Sequence, residues 1–427
     1  MINDDFTPLF NKSSNIEQLA NMNSDEIYLN IYSQRTFRDK LFSLLFLVNL
    51  IITVIICSIM LSKKNEIDNQ QKSEITSMNI IPLILAFSIE LLIIIWTIFF
   101  SESFILHSYF VSTVIILASI ILIIIGKKCY YSLFELVLII LMIGLFLNQV
   151  GFRKSTISVS ETVSTIQLKY PKFFLFLFGM FLPIFLFSLL YANVTYKIYI
   201  NNWNKWFHLY LFLSFLWINA TVSYICNYVS SGFTVLYFFY GNSMQIPRTP
   251  IILLLKYSLT YSFGTLAYSA LISPYLWLDK FIPFKKLTRA IRKYDASLIY
   301  CSAYGIDFNE ANRRVAFFQN KLSISTIISN SSLYSSGLML SFAMSILVGS
   351  ISVFISKEFI SHDKVITITM LFTMFISFCI NGCFISSFNG MANALYILYC
   401  SASSTMKKIF PILYSDLLLV CPLSQCV

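Results

Sequence analysis

The sequence predicts an all-α fold: a polytopic membrane helix bundle of about ten transmembrane segments with cytoplasmic termini. Three observations lead there. Apolar runs of about 20 residues recur along the 427 residues, 57% of the chain is hydrophobic while only 12% is charged, and the basic residues collect between the runs. Roughly 20 apolar residues in a helix cross a hydrocarbon core about 30 Å thick. Lipid offers the backbone no hydrogen-bond partner, so a spanning run must be helical or part of a closed barrel. The runs cover about half of the chain and the connections are mostly short, which leaves no room for a separate soluble domain.

Residues 1–36 are polar and mildly acidic, and lack the basic start, short apolar core and small-residue cleavage site of a signal peptide. They read as a disordered cytoplasmic tail. The first run, 41–61, follows Arg35, Arg38 and Lys40, whose charges favour a cytoplasmic N-terminus. Further runs lie at 80–100, 104–125, 130–150 and 173–194. Between the last two, 151–172 carries Arg153, Lys154, Lys169 and Lys172 and is expected in the cytoplasm. Ile157, Val159, Val163 and Ile166 make an imperfect helical stripe there, suiting either an interfacial helix or a connector packed against its neighbours. The remaining runs are 207–229, 251–277, 333–355 and 365–388, within a transmembrane domain of 37–400, followed by a cytoplasmic tail at 401–427.

The densest basic segment contains Lys280, Lys285, Lys286, Arg289, Arg292, Lys293, Arg313, Arg314 and Lys321, so 279–322 is expected in the cytoplasm, facing anionic lipid. Nucleic acid is not the implied partner, because the charge sits where topology needs it. Seven crossings from an inside N-terminus would put this loop outside. One crossing is missing, and 207–241 has spare apolar length interrupted by Ser230, Ser231 and Gly232. The sequence therefore predicts a split there into two short membrane segments, with a re-entrant half-helix as the competing reading. Nine clear runs and the split make ten, placing Asn242 outside and Thr288 inside.

Ionisable groups at membrane depth are costly unless paired, hydrated or neutral. Glu90 lies mid-run, after Pro82 and before Trp96, and suits a counter-ion, a proton carrier or an interhelical hydrogen bond. Glu135 is nearer a helix end and Lys256 can snorkel, so both read as structural. Asn219, Ser223 and Asn227 recur at i, i+4 and i+8 on one helical face, where they would line a pathway or bond neighbouring helices. Gly232 would let the backbone bend, and broken helices expose carbonyls to substrate in many transporters. The small residues of 257–270 read as helix packing, and Asn381-Gly382 as a hinge or a packing notch.

Other chemistries find little support. Nine cysteines are mostly isolated, and Cys379 and Cys383, at i and i+4, have no His or carboxylate neighbours, so packing is preferred to metal binding. His107, His208 and His362 stand apart from any nucleophile, so no enzyme is implied. No phosphate-binding G-x-x-x-x-G-K-[ST] motif occurs, which argues against an ATP-driven pump. No cofactor or metal is expected.

Four motifs in collinear order carry a family resemblance. They are Phe37-Arg38-Asp39; Phe215-Leu216-Trp217 with Val229-Ser230-Ser231-Gly232 and the aromatic group ending at Tyr240; Tyr261-Ser262-Phe263-Gly264-Thr265-Leu266-Ala267; and Ala296-Ser297-Leu298-Ile299-Tyr300 with Tyr304-Gly305 and Ala316-Phe317-Phe318. A weaker match is Phe384-Ile385-Ser386-Ser387. The chain resembles the choline transporter-like family, most closely its fungal branch of pH-nine-sensitive proteins. Tyr294-Asp295 and Phe239 depart from the family pattern, and 62–78 is shorter than the large glycosylated loop of animal members, which favours the fungal branch.

The resemblance implies a multi-pass plasma-membrane transporter of a small organic solute, plausibly choline or a related cationic alcohol, facilitated or gradient-coupled. Aromatic faces hold quaternary ammonium groups, and Trp96, Trp217, Tyr224, Tyr237 and Tyr240 supply rings at membrane depth. The candidate solute-binding set is Glu90, Trp96, Trp217, Asn219, Ser223, Asn227, Gly232, Tyr237 and Tyr240. The alternative is a non-transporting polytopic receptor or lipid-interacting protein in which the polar groups only lock helices together. Membrane lipids are partners in either case, and the sequence leaves the oligomeric state open.

Overall fold

The structure is a computed structural model that describes residues 37–62, 84, 88, 92, 95, 104–125, 153–200, 205–240, 249–271, 294–313, 315, 332–359 and 363–420. Helix dominates, and among the described residues there is no strand. The helices are α1 (Lys40–Ser62), α2 (Phe104–Ile125), α3 (Arg153–Lys169), α4 (Lys172–Ile200), α5 (Lys205–Tyr240), α6 (Pro250–Leu259), α7 (Tyr294–Tyr304), α8 (Ser332–Phe359), α9 (Asp363–Ser401), α10 (Ser403–Ile409) and α11 (Pro411–Val420). Four helical stretches among the described residues are long and apolar enough to cross a membrane: Lys40–Ser62, Lys172–Tyr191, Trp206–Tyr240 and Thr373–Ser401. Shorter apolar helices accompany them at Phe110–Ile121, Pro250–Leu259 and Met339–Ser352.

Helix α1 shows how an apolar run divides its faces. Phe46, Thr53, Cys57 and Met60 recur at spacings of seven, four and three and are buried, while Leu41, Leu44, Ile51 and Ile55 are exposed, as a lipid-facing surface should be. Its buried stripe lies against α5, where Phe46 meets Trp217 and Asn49 Nδ2 donates to Ser214 Oγ at 2.9 Å. Thr53 bonds the same Ser214 at 2.7 Å. Rising numbers on α1 meet falling numbers on α5, so the two are antiparallel.

Helix α5 is the axis of the bundle, packing on α9 most extensively and also on α1, α4, α6 and α7. The same pairing logic orients its neighbours. Phe173 stacks on Phe233 and Phe187 on Phe215, so α4 is antiparallel to α5. Asn219 meets Cys379 and Ser223 meets Cys383, a constant offset of 160 residues, so α9 runs parallel to α5. Phe342 meets Phe378 and Asn381 meets Ser341, so α8 is antiparallel to α9.

The expected split of 207–241 is not what the chain does: α5 is one continuous helix of 36 residues. At 1.5 Å per residue it is about 54 Å long, well beyond a 30 Å hydrocarbon core. The residues that looked like breakers serve packing instead. Ser231 Oγ and Thr234 Oγ1 return hydrogen bonds to the helix's own carbonyls at Tyr228 and Ser230. Gly232 is closely packed: a Cβ there would lie 2.9 Å from Leu254 Cδ2 and 3.2 Å from Ser302 Cβ.

The break lies one element later. Helix α6 ends at Leu259, residues 260–262 form a turn, and helix resumes over 263–271. Thr260 Oγ1 donates to Lys256 O at 2.6 Å, and the Ser262 amide reaches back to Tyr257 O at 3.0 Å, one residue wider than an α-helical bond. The Tyr261 carbonyl accepts from the Arg38 amide at 3.0 Å.

At one end of the bundle the α3–α4 junction, the end of α5 and the start of α11 meet. Lys169 and Tyr170 of the α3–α4 junction touch Tyr237 and Phe233, and Phe410, just before α11, stacks on Tyr237. The C-terminal end of α5 therefore lies on the same side as α3, whereas the expected split would have put it on the opposite side. Helix α3 is the packed alternative of the two sequence readings: Val159, Val163 and Ile166 are fully buried, and Ser155, Thr156, Ser158, Ser160, Ser164 and Gln167 are buried with them. The region expected as a C-terminal tail folds in part as α10 and α11, with Asp416 on α11 accepting from Ser158 Oγ on α3.

Candidate functional site: the seam between α5 and α9

The two faces of α5 carry different groups. Trp217, Tyr228, Ser231 and Gly232 turn toward α1, α6, the 263–271 helix and α7. Trp217 Nε1 donates to Ala267 O at 2.9 Å, and its ring sits edge-on to Phe46 at 5.4 Å. Tyr228 Oη lies 3.0 Å from Ser262 Oγ and 3.4 Å from Cys301 O. Ser231 Oγ lies 3.2 Å from Ser302 Oγ.

The motif Phe37-Arg38-Asp39 closes this side from below. Phe37 packs on Tyr261, Thr265 Oγ1 donates to Asp39 Oδ2 at 2.8 Å, and a Cβ on Gly264 would come within 2.2 Å of Asp39 O. Asp39 has φ 48°, a left-handed conformation unusual for a residue other than glycine. The helix break, the start of α1 and the middle of α5 thus meet at one junction. The first, second and third sequence motifs, far apart in the chain, are neighbours here.

The opposite face of α5 carries Asn219, Ser223 and Asn227, as the sequence spacing implied, and it meets α9. Asn219 Nδ2 donates to Cys379 O at 3.5 Å, the limit of a hydrogen bond. Ser223 Oγ lies 3.1 Å from Cys383 Sγ, and Ser386 Oγ donates to Ser223 O at 2.9 Å. Cys379 and Cys383 both meet α5 through Asn219 and Ser223, so the face of two cysteines expected on α9 packs against α5. Farther along, Ser230 Oγ is 2.6 Å from Ser387 Oγ, and Gly390 lets the helices touch at backbone level, since a Cβ there would meet Asn227 O at 2.8 Å.

Two amide oxygens in this seam, those of Asn219 and Asn227, have no hydrogen-bond partner among the described residues; the Asn381 amide oxygen, on the side of α9 that meets α8, and the hydroxyls of Ser377 on α9 and Ser188 on α4 lack one as well. In Asn219 and Asn381 the NH2 donates to a carbonyl of a neighbouring helix, Cys379 O and Ser341 O, which leaves the oxygen as the spare group. A buried acceptor without a donor costs about 1–3 kcal/mol. Groups of this kind accumulate where a ligand or water completes them.

The aromatic groups nearest to Asn219 escaped sequence reasoning. Phe215, one turn below it, stacks with Phe187 at 5.8 Å and with Tyr191 at 4.8 Å, and Phe375 on α9 approaches both Phe212 and Phe215. The signal available in sequence was the helical spacing of Phe212, Phe215 and Asn219, but every run in this chain is rich in Phe.

Of the other candidates, Trp217 and Gly232 lie on the face away from the seam. Tyr237 lies at the α3 end, accepting from Lys169 Nζ at 2.7 Å beneath an ammonium 5.5 Å from its ring centroid. The adjacent Tyr170 phenol is pushed up in pKa by burial and by Tyr237, so it stays neutral beside Lys169. Tyr240 is half-buried at the same end. Glu90 and Trp96 lie outside the described residues. Among the described residues no group of three His, Cys, Asp or Glu side chains is placed to hold a metal.

These features define a class: a helical membrane protein whose long central helix is locked on one face and lined with polar groups on the other. A family model described as the plasma-membrane choline transporter matches residues 130–404, well over half of the chain. The chain belongs to the choline transporter-like family. No curated protein matches it.

Proposed function

We propose that this protein carries choline or a related small cationic alcohol across the membrane by alternating access, with the pathway along the α5–α9 seam. The observation that carries the reading is the contrast in that seam: Asn219 holds a buried amide oxygen without a donor one turn from Phe215, whose ring meets Phe375. A quaternary ammonium needs aromatic faces, and an alcohol needs an acceptor. Both are within a helical turn of each other. The rings close on one another in this structure, so it corresponds to a closed state in which α9 must shift against α5 to admit solute. The source of energy is facilitated diffusion or an ion or proton gradient.

For topology we propose that the α3 end is cytoplasmic, supported by Lys169, Lys172, Lys407 and Lys408 at that end. Both termini then lie inside, with 37–400 as the transporter domain. The segment 250–271 runs antiparallel to α5, and α8 starts at the α3 end, so a total of ten needs its tenth passage outside α5. The plasma membrane is the expected location, and the short 62–78 connection supports the fungal branch.

Purified protein in vesicles should take up labelled choline faster than empty vesicles, with unlabelled choline competing. Correctly folded protein giving no flux of choline or ethanolamine would overturn the carrier reading. Single cysteines at Asn242 and Ser403 should label together from the cytoplasmic side. Labelling from opposite sides would refute the topology.

A further inference from the structure

Helices α3 and α11 lie across the end of the bundle, not along it. Contacts between α5 and α9 keep an offset near 160 residues, so Tyr399 on α9 stands level with the last turn of α5. Tyr399 meets Tyr414 of α11, while Phe410, four residues earlier, stacks on Tyr237 and Phe238 of that same turn. On α3, Lys169 reaches Tyr237, and Ser158, about 16 Å away along the helix, meets Asp416 on α11. The two helices therefore run side by side and antiparallel at one depth. That depth is a boundary. On α4 the exposed apolar row of Leu186, Leu182, Phe178 and Leu175 stops one turn short of exposed Lys172. Phe173 stacks on Phe233, one turn of α5 before Tyr237, so α11 begins within about a turn of the place where the lipid-facing row ends.

Helix α11 has two faces. Leu413, Asp416 and Leu417 are buried against the protein, and the acidic group of α11 is among them. Ile412 and Leu419, seven residues apart, are 72% and 73% exposed, with Ser415 and Leu418 exposed between them. Lys407 and Lys408 are exposed just before this helix, and Lys169 and Lys172 at the junction that Tyr237 joins to Phe410. An apolar outer face flanked by cations, on a helix lying across the bundle at this depth, suits an interfacial helix whose apolar side chains enter the acyl boundary while its lysines meet phosphates. Water would leave the apolar side chains uncompensated. A second copy of the surface would set lysines against lysines.

We propose that α10 and α11 form a docking surface for anionic phospholipid of the adjoining leaflet, with Ile412, Leu418 and Leu419 in the acyl boundary and Lys407 and Lys408 on the headgroups. The inner face of α11 passes that contact on, because Asp416 holds Ser158 of α3 and Phe410 stacks on the end of α5. A docked α11 thereby fixes α3 and α5 in their present packing. The proposal is independent of the solute and of the α5–α9 pathway. It needs only that the α3 end lies at a membrane surface.

The test measures Tm of the full chain in nanodiscs of phosphatidylcholine alone and of phosphatidylcholine mixed with phosphatidylserine, which offer the anionic headgroup on both faces and so do not presuppose the topology. The wild type should melt higher in the mixed lipid. A double variant, Lys407→Gln with Lys408→Gln, should lose about 2–4 °C of that gain while matching the wild type in phosphatidylcholine alone. An undiminished gain in the double variant overturns the headgroup contact. Ile412→Gln and Leu419→Gln should each lower Tm in both lipids, since a side chain in hydrocarbon loses by becoming polar and one in water does not. An unchanged Tm in both would place the face in water and overturn the docking. Light scattering that finds a dimer, converted to monomer by Leu419→Gln, would assign the face to a second copy and overturn it too. Protein that gives no choline flux yet keeps the lysine-dependent gain supports this inference and rejects the carrier reading.

Discussion

The two faces of α5 are built from similar residues and do opposite things. Toward α1, α6 and α7 each polar group on the helix finds a good partner: Trp217 on Ala267 O at 2.9 Å, Tyr228 on Ser262 at 3.0 Å, Ser231 on Ser302 at 3.2 Å. Gly264 on this side is packed to backbone contact with Asp39, and Gly232 packs against the side chains of Leu254 and Ser302. Toward α9 the Asn219 bond is 3.5 Å long and the Ser223 hydroxyl meets sulfur, the Ser223 carbonyl alone taking a short bond from Ser386, and the amide oxygens of Asn219 and Asn227 stay unpaired among the described residues. The difference teaches which interface is fixed and which is free to slide. Satisfied hydrogen bonds and close backbone approach make one discrete packing, whereas weak bonds are exchanged at low cost when a helix shifts. Contact tightens again toward the α3 end, at Ser230–Ser387 and Asn227–Gly390, so the seam is loosest at the depth where the rings and amides meet.

The harshest way to break this contrast is Gly264→Ala. Its Cβ would stand 2.2 Å from Asp39 O and 2.7 Å from Arg38 O, both backbone atoms that cannot rotate away. A loss of about 3 kcal/mol or more is expected, seen as a large fall in Tm by tryptophan fluorescence in detergent; an unchanged Tm would show that α1 is not fixed there. Gly390→Ala comes next, at about 2 kcal/mol, because the added methyl meets Asn227 O at 2.8 Å. Its control is Gly382→Ala on the same helix, where nothing lies within 4 Å. Alanine there should hold or raise Tm, by up to about 1 kcal/mol, and a fall in uptake at raised Tm would identify Gly382 as a hinge.

Smaller effects sharpen the comparison. Tyr228→Phe leaves Ser262 without the phenol and should cost about 1–2 kcal/mol in thermal unfolding. Trp217→Phe removes the bond to Ala267 O and should cost about 1 kcal/mol in thermal unfolding. Asn219→Leu should alter Tm least, within about 0.5 kcal/mol, since its bond is 3.5 Å long and its oxygen already unpaired. A large destabilisation by Asn219→Leu, equal to that of Tyr228→Phe, would erase the distinction between the faces.

How much of this was legible in the sequence differs by feature. The spacing of Asn219, Ser223 and Asn227 placed them on one face of a helix, and they do share the α9 interface. The stripe Val159, Val163 and Ile166 marked α3, although lipid and protein surfaces look alike to a periodicity argument, and the stripe is buried in protein. Ser230, Ser231 and Gly232 misled because hydroxyls and glycine weaken a helix only when they lack partners; here Ser387, Ser302 and Leu254 supply them. The real interruption at 260–262 carries no proline or glycine. It is held open by Arg38, more than 200 residues away in sequence, and no local signal reveals that.

Composition and the length of apolar runs determined by themselves that this chain is a helical membrane protein, because the cost of unpaired backbone in lipid leaves few alternatives. Collinear motifs determined its family. Only the tertiary structure decided that α5 stays whole, that α9 runs parallel to it, and that Trp217 belongs to the locked face while Phe215 and Phe375 belong to the polar one. Helical periodicity states which residues share a face, but the partner of that face is set by long-range packing, and a hydrogen bond between residues 160 apart leaves no trace in either segment alone.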